Sequence, residues 1–142
     1  MKKSLLGLAL LTSFYTQAND CLDMEGLYTC EDNAVIFLEK IGSTVVPAYR
    51  ITGKSISGVL EPRIFILDNK VRKVRSNNES AICVGNKLFK ISNDILNDVE
   101  MAPYTKTYTY KLENNNLQVT SVIDVSGYPD KLETFVKNCQ KL

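Results

Sequence analysis

The chain has 142 residues, with 17 lysines and arginines against 16 aspartates and glutamates, four cysteines, no tryptophan and no histidine. This length predicts one domain of ordinary size, and a net charge of +1 gives no electrostatic reason to expect a nucleic-acid partner. The absence of histidine excludes Ser-His-Asp and Cys-His catalysis, an imidazole general base and His-ligated zinc.

Residues 1–18 have the three-part pattern of a secretory signal peptide. Two lysines form a basic start, an apolar stretch runs from Leu5 to about Tyr15, and Ala18 offers a small residue for cleavage. The apolar stretch of roughly a dozen residues is shorter than the about 20 that a membrane-spanning helix needs. We therefore predict a protein exported to the bacterial periplasm or exterior, with no integral membrane span and a single β domain over residues 19–142. The alternative is an N-terminal core helix.

The four cysteines, at positions 21, 30, 83 and 139, all follow the predicted signal peptide. An even number in an exported chain predicts two disulfides, and the absence of a Cys-x-x-Cys motif excludes a zinc ribbon and a thioredoxin-like redox site. If the first strand lies antiparallel to the last, the start of the first lies beside the end of the last. This arrangement favours Cys21–Cys139 with Cys30–Cys83. Pairing Cys21 with Cys30 is the main competitor, because the intervening chain is short.

The sequence after residue 18 predicts β-strands almost throughout. Short β-prone runs are separated by turn residues, and Pro47 interrupts one of them, which is typical of an edge strand or a bulge. Weak polar stretches at 53–58 and 76–79 are expected to be loops. Strands are expected at 26–30, 34–38, 44–46, 48–51, 64–67, 70–75, 81–84 and 87–91.

The C-terminal third has the clearest pattern. Residues 104–113 and 117–126 each alternate with period two, the pattern of a half-buried strand, and an Asn-rich turn joins them into a hairpin. Residues 93–99 suit a short helical turn capped by Ser92 or Asn93. Residues 132–139 fit one face of a helix, but the β-branched Thr134 and Val136 favour a final strand.

About eight to ten short strands with nearest-neighbour connections predict an all-β fold, an antiparallel meander closed into an up-and-down barrel or half-closed as a curled sheet. Gly26-Leu27-Tyr28 resembles the Gly-x-Trp that opens lipocalin barrels. The cysteine spacing from Cys21 to Cys30, with the late Cys139, also resembles small exported bacterial lipocalin-like β-barrel proteins of unassigned function. The resemblance implies a barrel that holds a small apolar ligand.

Four residues on one face of a single strand are a candidate ligand-binding row: Tyr104, Lys106, Tyr108 and Tyr110. Tyrosine rings offer flat stacking faces, and a lysine among them inside a barrel would be a counter-ion for an acidic ligand. The alternative is that the tyrosines pack in the core and the lysine is solvated.

A basic run is a candidate anion-binding site, formed by Lys70, Arg72, Lys73 and Arg75. Arginine and lysine suit a phosphate, a carboxylated glycan or an anionic membrane surface. In an extended strand the first two residues share one face and the last two share the other, so they converge only if a bulge turns them. The alternative is a charged edge strand that discourages association between sheets.

No cofactor or metal is predicted. Asp94, Asp98 and Glu100 could together bind calcium, but their spacing does not match an EF-hand loop. No Gly-x-Ser-x-Gly or Ser-x-x-Lys motif is present, so a hydrolase without histidine is the least favoured hypothesis. The sequence favours a non-catalytic exported β-barrel that binds a small apolar or anionic ligand. The alternative is a protein–protein interaction or inhibitor module of the cell envelope.

Overall fold

The computed structural model describes residues 24–43, 45–55, 57–85, 88–95, 102–128 and 132–142. The predicted signal peptide and Cys21 lie outside these residues, as do Asp98 and Glu100 of the candidate calcium loop.

The described residues form ten strands joined into one antiparallel sheet. They are β1 (Gly26–Cys30), β2 (Val35–Lys40), β3 (Ala48–Ser55), β4 (Gly58–Ile66), β5 (Arg72–Val74), β6 (Asn77–Cys83), β7 (Leu88–Ile95), β8 (Tyr104–Glu113), β9 (Asn116–Val125) and β10 (Glu133–Lys141).

The sheet order is β4-β3-β2-β1-β10-β9-β8-β7-β6-β5. Strand β1 pairs antiparallel with β10, so the first and last strands meet in the middle of the sheet. The two ends of the sheet, β4 and β5, are consecutive in the chain. The sheet therefore curls into a half-barrel with one seam between these two strands. The predicted all-β antiparallel meander, half-closed as a curled sheet, is confirmed.

The connection from β4 to β5 partly closes this seam. The Leu67 amide donates a hydrogen bond to the Pro47 carbonyl oxygen, and the Asn69 amide donates one to the Ala81 carbonyl oxygen, each at 2.8 Å. Asp68 also forms an isolated antiparallel bridge with Ile82. The segment after β4 is thus bonded to neighbours on both sides of the seam.

One end of the barrel interior is a packed apolar core, which we call the packed end. Alternation along the strands directs every second side chain inward. The largest fully buried side chains there include Tyr28, Tyr49, Phe89 and Leu117. The Tyr28 hydroxyl donates a 2.9 Å hydrogen bond to the Met24 carbonyl oxygen, which satisfies the one polar atom of that side chain.

The predicted disulfide pairing is wrong. The structure joins Cys30 to Cys139, so neither Cys21–Cys139 nor Cys30–Cys83 forms. The antiparallel pairing of first and last strands is as predicted, but the overlap is only three residues long, with Cys30 directly opposite Cys139. Strands of a curled barrel are tilted and staggered, and local sequence does not reveal that stagger. Cys83 is also disulfide-bonded.

Several predicted boundaries also change. Strand β6 begins at Asn77, inside the predicted loop at 76–79, because Arg75 adopts a φ of 58° and turns the chain early. Only Arg72–Val74 of the predicted strand 70–75 is extended. Strand β7 continues to Ile95, so residues 93–95 are not helical, and the rest of that predicted turn lies outside the described residues. The final strand is confirmed as β10.

The predicted C-terminal hairpin is confirmed as β8 and β9, paired without a register shift over their ten residues. Asn114 and Asn115 have φ values of 48° and 65°. Asparagine tolerates this left-handed region better than most residues, so the Asn-rich turn suits the tight connection.

Candidate functional site

The other end of the barrel, which we call the hollow end, encloses a cavity of about 760 Å³. Strands β2, β3, β4, β7, β8, β9 and β10 all contribute side chains to its wall. Small-molecule sites in proteins commonly span roughly 300–1,000 Å³. The cavity is thus of a size that accommodates a small organic ligand.

A stack of three aromatic rings lies where the packed end meets the cavity, and we call it the aromatic floor. Tyr49 and Phe89 lie with ring centroids 5.4 Å apart, and Phe89 and Tyr110 with centroids 4.6 Å apart, at interplanar angles of 11° and 13°. Tyr110 also lines the cavity. On the side away from the cavity, the floor consists of the fully buried rings of Tyr49 and Phe89, and Tyr110 is its cavity-lining member.

Tyr110 carries a neutral phenol at physiological pH. Burial, helped by the nearby Tyr108 and opposed by Arg63, raises the pKa of Tyr110 to about 12. A phenol of this kind donates or accepts a hydrogen bond without adding charge to the floor.

Only part of the predicted ligand-binding row on β8 lines the cavity. Lys106, Tyr108 and Tyr110 line the cavity, whereas Tyr104 is not among the described lining residues. Tyr104 lies nearer the end of the strand, opposite Ile95 and Val125. The structure therefore brings three of the four candidate residues together on one wall.

Apolar side chains form most of the remaining wall. Ile51 from β3, Ile91 from β7 and Val119 from β9 face the cavity, together with Ile36 and Phe65. At the mouth, Leu60 and Phe135 line the cavity while remaining 63% and 59% exposed. Apolar surface therefore extends from the floor to the solvent.

Two cations of the cavity wall are neutralised by carboxylates. Arg63 on β4 forms a 2.5 Å ion pair with Glu79 on β6, which crosses the seam, and its guanidinium lies 5.0 Å from the Phe65 ring centroid. Lys137 forms a 2.6 Å ion pair with Asp32. Both positive charges therefore have protein partners already.

Lys106 differs from these two cations. It is half-buried, and its Nζ lies 5.0 Å from the centroid of the Tyr108 ring. Its cross-strand neighbours, Asn93 and Ile123, are uncharged, and no described carboxylate lies within ion-pair distance of it. Lys54 also lines the cavity without such a partner, but it is exposed.

The basic run lies on the sheet edge at β5, away from the cavity lining. Both terminal nitrogens of Arg72 donate to the Asp68 carboxylate, at 2.8 and 2.6 Å. This contact lowers the pKa of Asp68 to about 2 and raises that of Arg72. Lys70, Lys73 and Arg75 are exposed. The structure does not gather the four cations around one point, and anion binding there stays a prediction.

The candidate calcium loop is only partly described. Asp94 lies on β7 and accepts a 2.8 Å hydrogen bond from the Thr105 hydroxyl on β8. Within the part of the chain that the structure covers, no three His, Cys, Asp or Glu residues lie close enough to hold a metal ion.

Arg63 and Glu79 are site residues that the sequence interpretation missed. Arg63 is two residues before the buried Phe65, so period-two alternation extended back from Phe65 would have placed it on the inner face. No sequence pattern indicated a role for Glu79, because it lies in the polar stretch 76–79, which was predicted to be a loop.

Comparison of the chain with protein-family models, with curated proteins and with solved structures found no match. Within the described ranges, no helix has the length and apolarity that crossing a bilayer requires.

Proposed function

We propose that this protein is a non-catalytic binding protein that holds a small, largely apolar molecule in the hollow end of its barrel. The observation that carries the proposal is the cavity of about 760 Å³, bounded by an aromatic floor and largely apolar walls and open at its mouth. Apolar ligand surface gains about 25 cal/mol for each Å² that it removes from water, so such a wall binds apolar molecules by burial alone.

The fold supports a site that exists before the ligand arrives. The floor rings belong to a stack that includes the fully buried Tyr49 and Phe89. Packed side chains of this kind hold single rotamers, so little conformational entropy is lost when a ligand contacts them.

Export of the protein is part of the proposal. The Cys30–Cys139 bond supports it, since structural disulfides persist in oxidising compartments such as the periplasm and the exterior. The signal peptide and the lipocalin resemblance stay predictions, as does the alternative of an envelope interaction module.

The test is to fill the cavity from a residue that lines it. Ser121 lies opposite Tyr108 and lines the cavity. The preceding residue, Thr120, points to the other face of β9, because side chains alternate along a strand. We expect Ser121→Phe to weaken binding of an environment-sensitive apolar fluorophore at least about tenfold, because the ring would occupy ligand volume. Thr120→Phe is the matched control and should bind the fluorophore as the unchanged protein does.

Fluorescence titration measures both dissociation constants, and circular dichroism checks that each variant keeps its strand content. Equal binding by a folded Ser121→Phe variant and the unchanged protein would contradict the proposal, as would no binding by the unchanged protein.

A further inference from the structure

We infer that the ligand is an amphipathic molecule with a single anionic group, which lies at Lys106 while the apolar part lies against the aromatic floor. The inference rests on the proposed function and goes beyond it, because the proposed function requires only an apolar ligand.

The polarity of the cavity wall changes along β8. From the packed end outward, the inward side chains are Leu112, Tyr110, Tyr108 and Lys106, so a buried aliphatic residue is followed by two phenols and then an ammonium group. The wall therefore becomes more polar with distance from the floor.

Other strands of the barrel show the same change from apolar to polar side chains. On β7 the order is Phe89, Ile91 and Asn93, and Asn93 lies directly opposite Lys106. On β4 the apolar Phe65 is followed by Arg63. On β9, next to β8, the apolar Val119 is followed by Ser121. A molecule that matches this lining is apolar where it lies against the floor and polar at its outer end.

Among the charged lining residues without a described ion pair, Lys54 and Glu61 are exposed and Lys106 is half-buried, so Lys106 sets the charge at that place. Arg63 and Lys137 have their own carboxylates, at 2.5 and 2.6 Å, whereas Lys106 has an aromatic ring face and uncharged cross-strand neighbours. A partly buried ammonium group without a carboxylate loses hydration, and an anionic ligand group would restore the lost interaction. A neutral ligand would leave the group uncompensated.

The experiment compares ligands that share one alkyl chain and differ in the head group. Calorimetric titration measures the binding of decanoate, decyl sulfate, decanol and decyltrimethylammonium to the unchanged protein. We expect at least one of the two anions to bind about tenfold more tightly than decanol, and the cation to bind more weakly than decanol. The stronger anion shows whether a carboxylate or a sulfate-like oxyanion is preferred.

Two lysine substitutions on β8 test whether Lys106 is the residue that causes the preference for an anion. Lys106→Met keeps the apolar stem and removes the charge, so this variant should bind the anion and decanol with about equal affinity. Lys111→Met is the matched control, because Lys111 is exposed and paired at 2.6 Å with Glu113, and it should keep the preference. In the unchanged protein, raising the salt concentration should reduce the preference, since salt screens partly exposed charges.

The outcomes separate the two proposals. Equal binding of anions and decanol, or a preference that survives in Lys106→Met, overturns the inference while leaving an apolar-ligand protein intact. Failure of all four alkyl probes also overturns the inference. If the apolar fluorophore binds nonetheless, the proposed function stands; if it fails too, both proposals fall.

Discussion

The packed end and the hollow end are built from the same strands with the same alternation, yet they differ in what the inward side chains do. At the packed end, Tyr49, Phe89 and Leu117 are fully buried and fill the interior. At the hollow end, Ile51 on β3, Tyr108 on β8 and Ser121 on β9 border open space. One end therefore carries most of the stability of the barrel, while the side chains of the other end are free to contact a ligand.

The largest effect should come from removing a ring of the floor stack. Phe89→Ala empties a fully buried site and should lower the free energy of unfolding by about 3–5 kcal/mol. The matched change at the hollow end, Phe135→Ala, removes a ring that is 59% exposed and should cost below about 1 kcal/mol. Denaturant unfolding measures both. Similar losses of stability from the two substitutions would show that both ends contribute equally to the stability of the barrel, which would contradict the difference between them.

The next effect should come from the disulfide at the packed end. Replacing Cys30 and Cys139 together by serine should lower the free energy of unfolding by about 2–5 kcal/mol, because the bond closes a span of 109 residues. Denaturant unfolding again gives the value. A loss below about 1 kcal/mol would show that the strand pairing alone holds the packed end.

Peptide mapping under non-reducing conditions checks the connectivity in the unchanged protein. It should recover Cys30 linked to Cys139. Of the three pairings that four cysteines allow, only the one that also links Cys21 to Cys83 contains this bond, so that second link is a prediction. A peptide linking Cys21 to Cys30 or to Cys139 would contradict it.

The smallest effect lies outside both ends, at the sheet edge. The Arg72 guanidinium lowers the pKa of Asp68 to about 2, against an ordinary value of 3.8. Because the folded-state pKa is lowered, the contact stabilises the fold above about pH 4 and loses that contribution as the pH falls toward 2. The contribution is small, since the contact is near the solvent.

Arg72→Met should return the pKa of Asp68 toward 3.8, which an NMR titration of the carboxyl carbon measures. Lys73→Met, on the same edge strand, is the control and should leave the pKa low. An unchanged pKa in Arg72→Met would show that another group lowers it.

Much of the fold follows from local pattern. Alternation over β8 and β9 predicted both strands and placed Lys106, Tyr108 and Tyr110 on one face, because period two is a property of each strand by itself. Long-range register is different. Cys30 lies opposite Cys139 because of a stagger that accumulates over the whole barrel, and neither cysteine has a local signal of it.

The candidate site could be predicted only in part for a related reason. The sequence pattern of an inward-facing tyrosine is the same whether the ring packs in a core or borders a cavity. The pattern on β8 therefore left both alternatives open. The Arg63–Glu79 pair joins strands that are separated by a seam, and its formation depends on how the two sheet ends approach each other.

The pairing of the terminal strands also determines how the chain resists mechanical force. Because β1 and β10 are antiparallel, the start of β1 and the end of β10 lie at the same side, and pulling on them would unzip one residue pair at a time. The first pairs to open would be Tyr28 with Lys141 and Thr29 with Gln140, and the third is the covalent Cys30–Cys139 bond. Strands β2 to β9 all lie within the span that this bond closes. The shortest covalent path between the two terminal segments therefore runs through the disulfide, and the chain that forms the cavity walls lies outside that path.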